Sequence, residues 1–296
     1  MLIARVIADP EGLQTRIDAL LAVLAETGMV PTASHALESN TAVWELRFAK
    51  GDAGKLRELI DQHLGPSDGM VTEREIALPK LFISDMDSTM IGQECIDELA
   101  DFAGLKERIS DITERAMQGE LDFEAALRER VGLLAGLEEG AIQRCLDERI
   151  RPNPGARTLV QTLKAHGSDT VLVTGGFHHF ADPVAEQIGF VDAVGNRLEV
   201  NDGVLTGGLA GPVVDSSVKK AVLNERMAGH EADAASVAAG DGANDIPMLE
   251  SATLGVAYFA KPKARAAANC WIDRGDLTSV LALLGIPEGE WVRDRQ

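Results

Sequence analysis

The pattern of apolar and polar positions divides the chain into two parts with different element orders. In residues 2–75, short apolar runs of strand type alternate with two longer runs whose apolar residues recur every three or four positions. The resulting order is strand, helix, strand, strand, helix, strand. This order predicts a ferredoxin-like βαββαβ domain over residues 1–76, with four strands backed by two helices.

From residue 77 to residue 296, the pattern predicts an α/β domain. Its strand candidates are near-continuous apolar runs separated by helical stretches, and they read LFIS, TVLVT, SVAAG, LGVAY and CWI. Such runs are typical of a parallel sheet that is covered on both faces, so we expect a Rossmann-like core. The first of these strands is predicted to include the residues from Ala77 onward. The segments RLEV and VLTGG flank the turn NDG at 201–203 and predict an antiparallel hairpin at the side of the sheet.

Residues 93–152 show helical periodicity only. Apolar residues such as Ile96, Leu99 and Ala103 recur at helical spacing, and the same holds around Leu127 and Val131. Because this segment follows directly after the first core strand, we expect an inserted helical cap. Such a cap would lie over a site at the sheet edge, where it would exclude water and contact a substrate.

Charge and cysteine content narrow the functional classes. The chain carries 47 acidic and 28 basic residues, a formal net charge of -19, which disfavours nonspecific binding to nucleic acid or to anionic membranes. The three cysteines are unclustered, which argues against a disulfide framework and fits the reducing cytoplasm. The N-terminal apolar run breaks at Asp9, and no apolar run reaches membrane-spanning length. We therefore expect a cytoplasmic protein without a membrane anchor.

Two carboxylates, Asp85 and Asp87, follow the first core strand. In a strand-like segment they project to the same side, where they need a cation, a proton or water. A calcium loop of the EF-hand type is excluded, because Met90 and Ile96 stand where that loop requires Gly and Glu. Capping of a helix that begins near Met90 remains open from these residues alone.

A second acidic loop, GDGAND at 240–245, follows another apolar strand. Oxygen ligands from Asp85 and Asp241 at two strand ends predict a shared Mg²⁺ site. Asp245 is expected to orient this site, to cap the helix that follows, or to do both.

The segment TGGF at 174–177 lies between these two acidic loops in the sequence. The Thr174 hydroxyl and free backbone N–H groups such as that of Gly175 are suited to a phosphate oxygen. Lys219 by itself is compatible with a helix-surface lysine.

The segments DMDST, VTGGF and GDGAND, with Lys219 before the last, resemble the four motifs of the haloacid dehalogenase-like superfamily. The resemblance covers residues 81 to about 284. It implies that Asp85 is a nucleophile that forms an aspartyl-phosphate, and that Asp87 is the acid/base, with a backbone carbonyl that also binds Mg²⁺. The other implied roles are phosphate binding by Thr174, Gly175 and Lys219, metal binding by Asp241, and support of the site by Asn244 and Asp245.

The cap resembles, more narrowly, that of the phosphoserine phosphatase family, on ECIDELADFAG and ITERAMQGELDFEAALRERVGLL. The resemblance implies that Glu94 pairs with a substrate ammonium group and Arg130 with its carboxylate, while Met117 and Phe123 wall the pocket. Independently, Arg130 lies on the apolar stripe of its predicted helix, where it needs an anion or must extend to the stripe's edge. Thr174 departs from the family's usual serine.

The resemblance thus implies a Mg²⁺-dependent hydrolase of the small molecule phosphoserine, acting through an aspartyl-phosphate in serine biosynthesis. A phosphatase or phosphotransferase for another small amine-bearing phosphomonoester, or a non-catalytic serine sensor, are the alternatives. The order and size of the N-terminal part also resemble ACT domains. The sequence leaves open whether this part forms a homodimer, senses an amino acid or only packs.

Overall fold

The computed structural model describes residues 1–117 and 120–293. Its strands are β1 (Leu2–Ile7), β2 (Ala33–Ala36), β3 (Trp44–Phe48), β4 (Asp68–Thr72), β5 (Leu81–Ser84), β6 (Asp169–Phe177), β7 (Asp192–Asn201), β8 (Val204–Ala210), β9 (Ser236–Gly240), β10 (Leu254–Tyr258) and β11 (Cys270–Ile272). Its α-helices are α1 (Leu13–Glu26), α2 (Ala53–Leu64), α3 (Cys95–Phe102), α4 (Lys106–Met117), α5 (Phe123–Leu133), α6 (Gly140–Arg149), α7 (Ala156–Ala165), α8 (His178–Ile188), α9 (Ser216–Met227), α10 (Ile246–Ser251), α11 (Pro262–Ala267) and α12 (Ser279–Leu284). Short 3-10 helices span Ala243–Asp245 and Glu288–Glu290.

All described strands belong to one sheet, in the order β2-β3-β1-β4-β11-β10-β9-β5-β6-β7-β8. The strands from β11 to β7 pair in parallel, whereas the first four strands pair antiparallel. Strand β5 lies between β6 and β9, and all of its residues are buried. The predicted α/β class, with a Rossmann-like core and an N-terminal ferredoxin-like βαββαβ unit, is confirmed.

The N-terminal strands are not a separate sheet. Strand β4 pairs antiparallel with β11, which satisfies backbone groups that an open edge of β4 would leave exposed. The junction is reinforced by the buried carboxylate of Asp68, which accepts backbone hydrogen bonds from Asp273, Arg274 and Gly275 at 2.8–3.1 Å. Trp271 of β11 packs into the N-terminal hydrophobic core. The boundary at residue 76 therefore crosses a continuous sheet, and the division into domains stays a prediction.

Two local predictions differ from the structure. The strand expected from Ala77 begins at Leu81, and the intervening Pro79 lacks the N–H that a central strand needs. The hairpin around 201–203 forms as β7 and β8, but it is not only a side feature. Strand β7 also pairs in parallel with β6, so the hairpin extends the central sheet at that edge.

Helices α3 to α6 form the predicted insertion. A bridge between Ile91 and Pro152 joins the two chain segments at its base. Apolar residues of the cap, including Leu99 and Leu127, belong to the same buried cluster as Phe82 of β5, so the cap packs onto the core. Among the described residues, no helix is both long enough and apolar enough to cross a membrane.

Candidate active site

The candidate site lies at one edge of the sheet, where β9, β5 and β6 are neighbours. Asp241 follows β9, Asp85 follows β5, and Thr174 lies in the C-terminal part of β6. The carboxyl ends of adjacent parallel strands meet at the same edge, which brings these distant sequence positions together. The Asp85 N–H donates to Ala239 O at 2.9 Å, so the first acidic loop stays attached to the neighbouring strand.

Lys219 connects the two acidic loops. Its Nζ lies 2.6 Å from Asp85 Oδ1 and 2.7 Å from Asp245 Oδ1, and the side chain is 1% exposed. Lys219 is held on α9, whose N-cap Asp215 accepts hydrogen bonds from two backbone N–H groups of the first turn. Lys219 is therefore a buried lysine of the site and not a helix-surface residue.

Asp245 shapes the second acidic loop. Its Oδ2 accepts hydrogen bonds from the N–H groups of Asp241 at 3.2 Å and Gly242 at 3.0 Å. Asp245 is also the N-cap residue of α10, although its side chain does not bond to that helix. Asn244 is exposed, and its Nδ2 lies 3.5 Å from Asp245 Oδ1, beside the cluster.

The cluster has more negative than positive charge. Burial raises the pKa of Asp85, and Asp245 adds to this effect while Lys219 opposes it. Burial also raises the pKa of Asp241. Burial lowers the pKa of Lys219, but Asp85 and Asp245 outweigh this and raise it overall, so the ammonium group stays charged.

The carboxylates fit a divalent cation. Asp85, Asp241 and Asp245 each offer an oxygen, and these atoms lie within 4.8 Å of one another. One buried ammonium group cannot neutralise three carboxylates. Lys261 also lies near the cluster, but it is two-thirds exposed and 3.7 Å from Asp241. Hard oxygen ligands with excess negative charge are the set that Mg²⁺ prefers. The structure adds the Asp245 carboxylate to this cluster, and the contact predicted through the Asp87 carbonyl stays a prediction.

Asp87 lies where the core meets the cap. Its Oδ1 accepts a hydrogen bond from the N–H of Cys95, the first residue of α3, at 3.4 Å. Burial, and then the nearby Glu94 carboxylate, raise the pKa of Asp87 to about 7. A carboxyl group that titrates near neutral pH is suited to both donate and accept a proton.

The TGGF segment passes close to Asp87. Thr174 is buried, and its Oγ1 accepts a hydrogen bond from the Gly176 N–H at 2.9 Å. A Cβ atom at Gly176 would lie 3.2 Å from Asp87 Oδ2, and one at Gly175 would lie 3.3 Å from the Phe123 ring. The two glycines therefore allow the loop to approach both the acid and the cap.

Two charged residues of the cap, Glu94 and Arg130, interact electrostatically with Asp87. Glu94 precedes α3, and its Oε1 accepts a hydrogen bond from Ser88 Oγ at 2.8 Å. Arg130 is partly buried, which lowers its pKa, while Asp97, Glu94 and Asp87 oppose that shift.

Within the described part of the chain, Arg130 has no carboxylate partner within 4 Å, and its Nε donates to Ala126 O at 3.3 Å. Its terminal nitrogens are thus available for an anion.

The two residues predicted to wall the pocket are Phe123 and Met117. Phe123 begins α5 and is 42% exposed. Met117 ends α4, and its predicted pocket contact lies outside the described residues.

Two residues at the site are not among those predicted from the sequence. Ser88 holds Glu94 through its hydroxyl, and the acidic motif alone does not indicate such a contact. Asn196 is a buried polar residue of β7 that bonds to the TGGF segment. The strand pattern could have indicated this burial, because residues two apart share one face of a strand and Leu198, on the same face as Asn196, is buried.

The chain is similar in sequence to known proteins. The family model of haloacid dehalogenase-like hydrolases matches residues 82–250. The chain is 43% identical over 210 residues to the phosphoserine phosphatase of Albidiferax ferrireducens, which is 69% of this chain and 89% of that relative.

Solved structures share the same architecture. A haloacid dehalogenase-family hydrolase from Salmonella enterica serovar Typhi superposes with a TM-score of 0.83 at 29% identity, over 97% of this chain and 98% of that one. A phosphoserine phosphatase in a substrate-bound complex superposes with a TM-score of 0.63 at 37% identity, over 71% of this chain and 99% of that one. The first similarity thus includes the N-terminal strands, and the second is a match to a shorter protein.

Proposed function

The chain belongs to the haloacid dehalogenase-like hydrolases, and from this membership we propose that it is a phosphoserine phosphatase. It is a phosphoric monoester hydrolase that converts O-phospho-L-serine to L-serine and phosphate. This reaction is the last step of serine biosynthesis.

The observation that carries the substrate assignment is the pair Glu94 and Arg130. One carboxylate and one guanidinium group lie on the cap near Asp87, and in the described residues neither has an ion-pair partner within 4 Å. Free phosphoserine carries an ammonium group and a carboxylate besides its phosphate. The pair is therefore complementary to the part of the substrate that does not react.

The first chemical step belongs to Asp85. One Oδ attacks phosphorus and forms the aspartyl-phosphate, while the P–O bond to the serine oxygen breaks. That oxygen takes the proton of Asp87, whose pKa of about 7 keeps a substantial protonated fraction near neutral pH. Lys219, at 2.6 Å from Asp85, offsets the repulsion between the attacking carboxylate and the phosphate.

The second step reverses the role of Asp87. Now ionised, it takes a proton from water, and the resulting hydroxide oxygen bonds to phosphorus as the bond to Asp85 breaks. The Thr174 hydroxyl and the Gly175 N–H hold phosphate oxygens in both steps, and Asn244 supports the phosphate side. Phe123 forms a wall of the pocket, and the wall role predicted for Met117 lies outside the described residues.

We propose Mg²⁺ as the metal, held by Asp85, Asp241 and the Asp87 carbonyl, with Asp245 orienting the ligands. When bound, it neutralises phosphate charge and stabilises the transition state. We further propose a cytoplasmic location, a boundary near residue 76, a cap over about 93–152, and a homodimer formed through an ACT-like N-terminal domain.

The test is phosphate release from L-phosphoserine, phosphothreonine, phosphoethanolamine and a sugar phosphate, each with Mg²⁺ and with chelator. A strong, metal-dependent preference for phosphoserine is expected. Equal turnover of phosphoethanolamine would overturn the role of Arg130, and absence of turnover with every ester would overturn the enzymatic assignment.

A further inference from the structure

Asn196 is a buried amide that the mechanism above does not use. The side chain is 1% exposed, and each of its polar atoms is bonded. Its Oδ1 accepts from the Val214 N–H at 2.8 Å, and its Nδ2 donates to Gly175 O at 2.7 Å and to Val214 O at 3.4 Å. A buried amide with every group paired requires its surroundings to keep one arrangement.

The first partner of Asn196 lies in an interruption of the sheet. Along β6 and β7, Val173 faces Val194, and the next paired residues are Phe177 and Asn196. Three residues of β6 thus face one residue of β7, so residues 174–176 bulge out of the regular pairing. The hydrogen bond from Asn196 Nδ2 to Gly175 O substitutes for the missing strand pairing and stabilises this bulge.

The second partner of Asn196 leads to the lysine. Val214 directly precedes Asp215, the N-cap residue of α9, and Lys219 lies in the first turns of that helix. Lys219 in turn contacts Asp85 at 2.6 Å. One amide therefore bonds both to the loop that carries Thr174 and to the segment that begins the helix of Lys219.

We propose that Asn196 is a positioning residue, which holds the phosphate-binding loop and the Lys219 helix at a fixed separation. This inference rests on the proposed function, because it takes these two elements as the phosphate site. A displacement of about 1 Å at a reacting centre is sufficient for a large loss of rate. Asn196 lies on the core side of the site, and Glu94 and Arg130 lie on the cap, so we expect it to affect phosphate binding and not the recognition of the substrate's ammonium and carboxylate groups.

The substitution Asn196→Asp tests this role. It keeps an acceptor for the Val214 N–H, but it removes the donor to Gly175 O and places a carboxylate against that carbonyl. Asn201→Asp is the matched control, because Asn201 is exposed at the end of the same strand. For each variant, kcat and KM for phosphoserine and phosphoethanolamine, the affinity for inorganic phosphate and the melting temperature are measured.

For Asn196→Asp we expect kcat/KM to fall by roughly tenfold to a hundredfold for both esters, with weaker binding of inorganic phosphate. The preference for phosphoserine over phosphoethanolamine stays unchanged, and the control matches the parent protein. A lower melting temperature with unchanged kinetics of the folded protein would overturn the proposal. So would a loss of ester preference with normal phosphate binding.

Gly195→Ala provides a second route if Asn196→Asp does not fold. A Cβ at Gly195 would lie 3.2 Å from Gly176 O and from Thr174 Cγ2, so it displaces the same loop. Weaker phosphate binding supports the premise that the position of this loop sets phosphate affinity, and unchanged phosphate binding contradicts that premise and with it the proposal. A parent protein that binds phosphate without hydrolysing phosphoserine would overturn the proposed function, while phosphate binding by the variants would still decide the role of Asn196.

Discussion

Replacement of Arg130 by methionine should reduce selectivity for esters that carry a carboxylate. Methionine retains the apolar part of the side chain, so the change removes the charge with little loss of packing. In the described residues, Arg130 has no carboxylate partner within 4 Å, and its Nε bonds only to Ala126 O. The substrate carboxylate is therefore its expected partner.

The magnitude follows from the strength of a charged hydrogen bond, about 1.5 to 3 kcal/mol. At 1.4 kcal/mol per factor of ten, this corresponds to a loss of roughly 10- to 150-fold in kcat/KM for phosphoserine. For phosphoethanolamine, which lacks the carboxylate, Arg130→Met removes no such hydrogen bond and should leave kcat/KM close to that of the parent protein.

The assay is initial-rate phosphate release with both esters. Arg128→Met is the control, because Arg128 lies two residues away on α5 and pairs with Glu124 at 2.7 Å on an exposed face. The control should leave both rates unchanged. An equal loss for the two esters in Arg130→Met would refute the assignment of the carboxylate site.

Three further predictions concern Glu94, Asp87 and Asp241. Glu94→Gln should raise KM for phosphoserine more than KM for an ester without an ammonium group, such as phosphoglycolate. Equal changes in the two KM values would contradict ammonium binding by Glu94. In chelator, folded Asp87 binds its proton more tightly than the unfolded chain, so between pH 3.8 and about 7 the contribution of Asp87 to stability falls as pH rises. Asp87→Asn should remove this contribution and so make the slope of the unfolding free energy against pH more positive in that range, and an unchanged slope in denaturant titrations would contradict this. Mg²⁺ at 100 times its dissociation constant should raise the free energy of unfolding of the parent protein by about 2.7 kcal/mol. In thermal unfolding, the same Mg²⁺ concentration should stabilise Asp241→Asn less, and equal stabilisation of the two proteins would exclude Asp241 as a ligand.

The sequence predicted the central sheet because its strands are long apolar runs with polar residues directly after them. It did not predict the pairing of β4 with β11, since CWI and the end of the N-terminal domain are about 200 residues apart. No local pattern indicates that Trp271 packs against the N-terminal core or that Asp68 binds the backbone of residues 273–275. Those contacts depend on the tertiary arrangement alone.

At the candidate site too, some residues could be predicted from local sequence patterns and others depend on the tertiary arrangement. Motif order identified Asp85 and Asp241, because each follows a strand directly. The role of Lys219 could be predicted only from the family resemblance, because its burial between two carboxylates depends on how α9 packs against the sheet. Asn196 was missed because its partners, Gly175 and Val214, lie on two other segments. A polar residue in a buried strand position is the signal that could have found it.

In the proposed mechanism, phosphate passes through a covalent bond to Asp85. The direct measurement is acid quench of the protein with phosphoserine labelled in its phosphate, followed by proteolysis and mapping of the label. We expect a base-labile label on the peptide that contains Asp85, and none in Asp85→Asn. A label on another residue, or full phosphate release by Asp85→Asn, would contradict the aspartyl-phosphate mechanism.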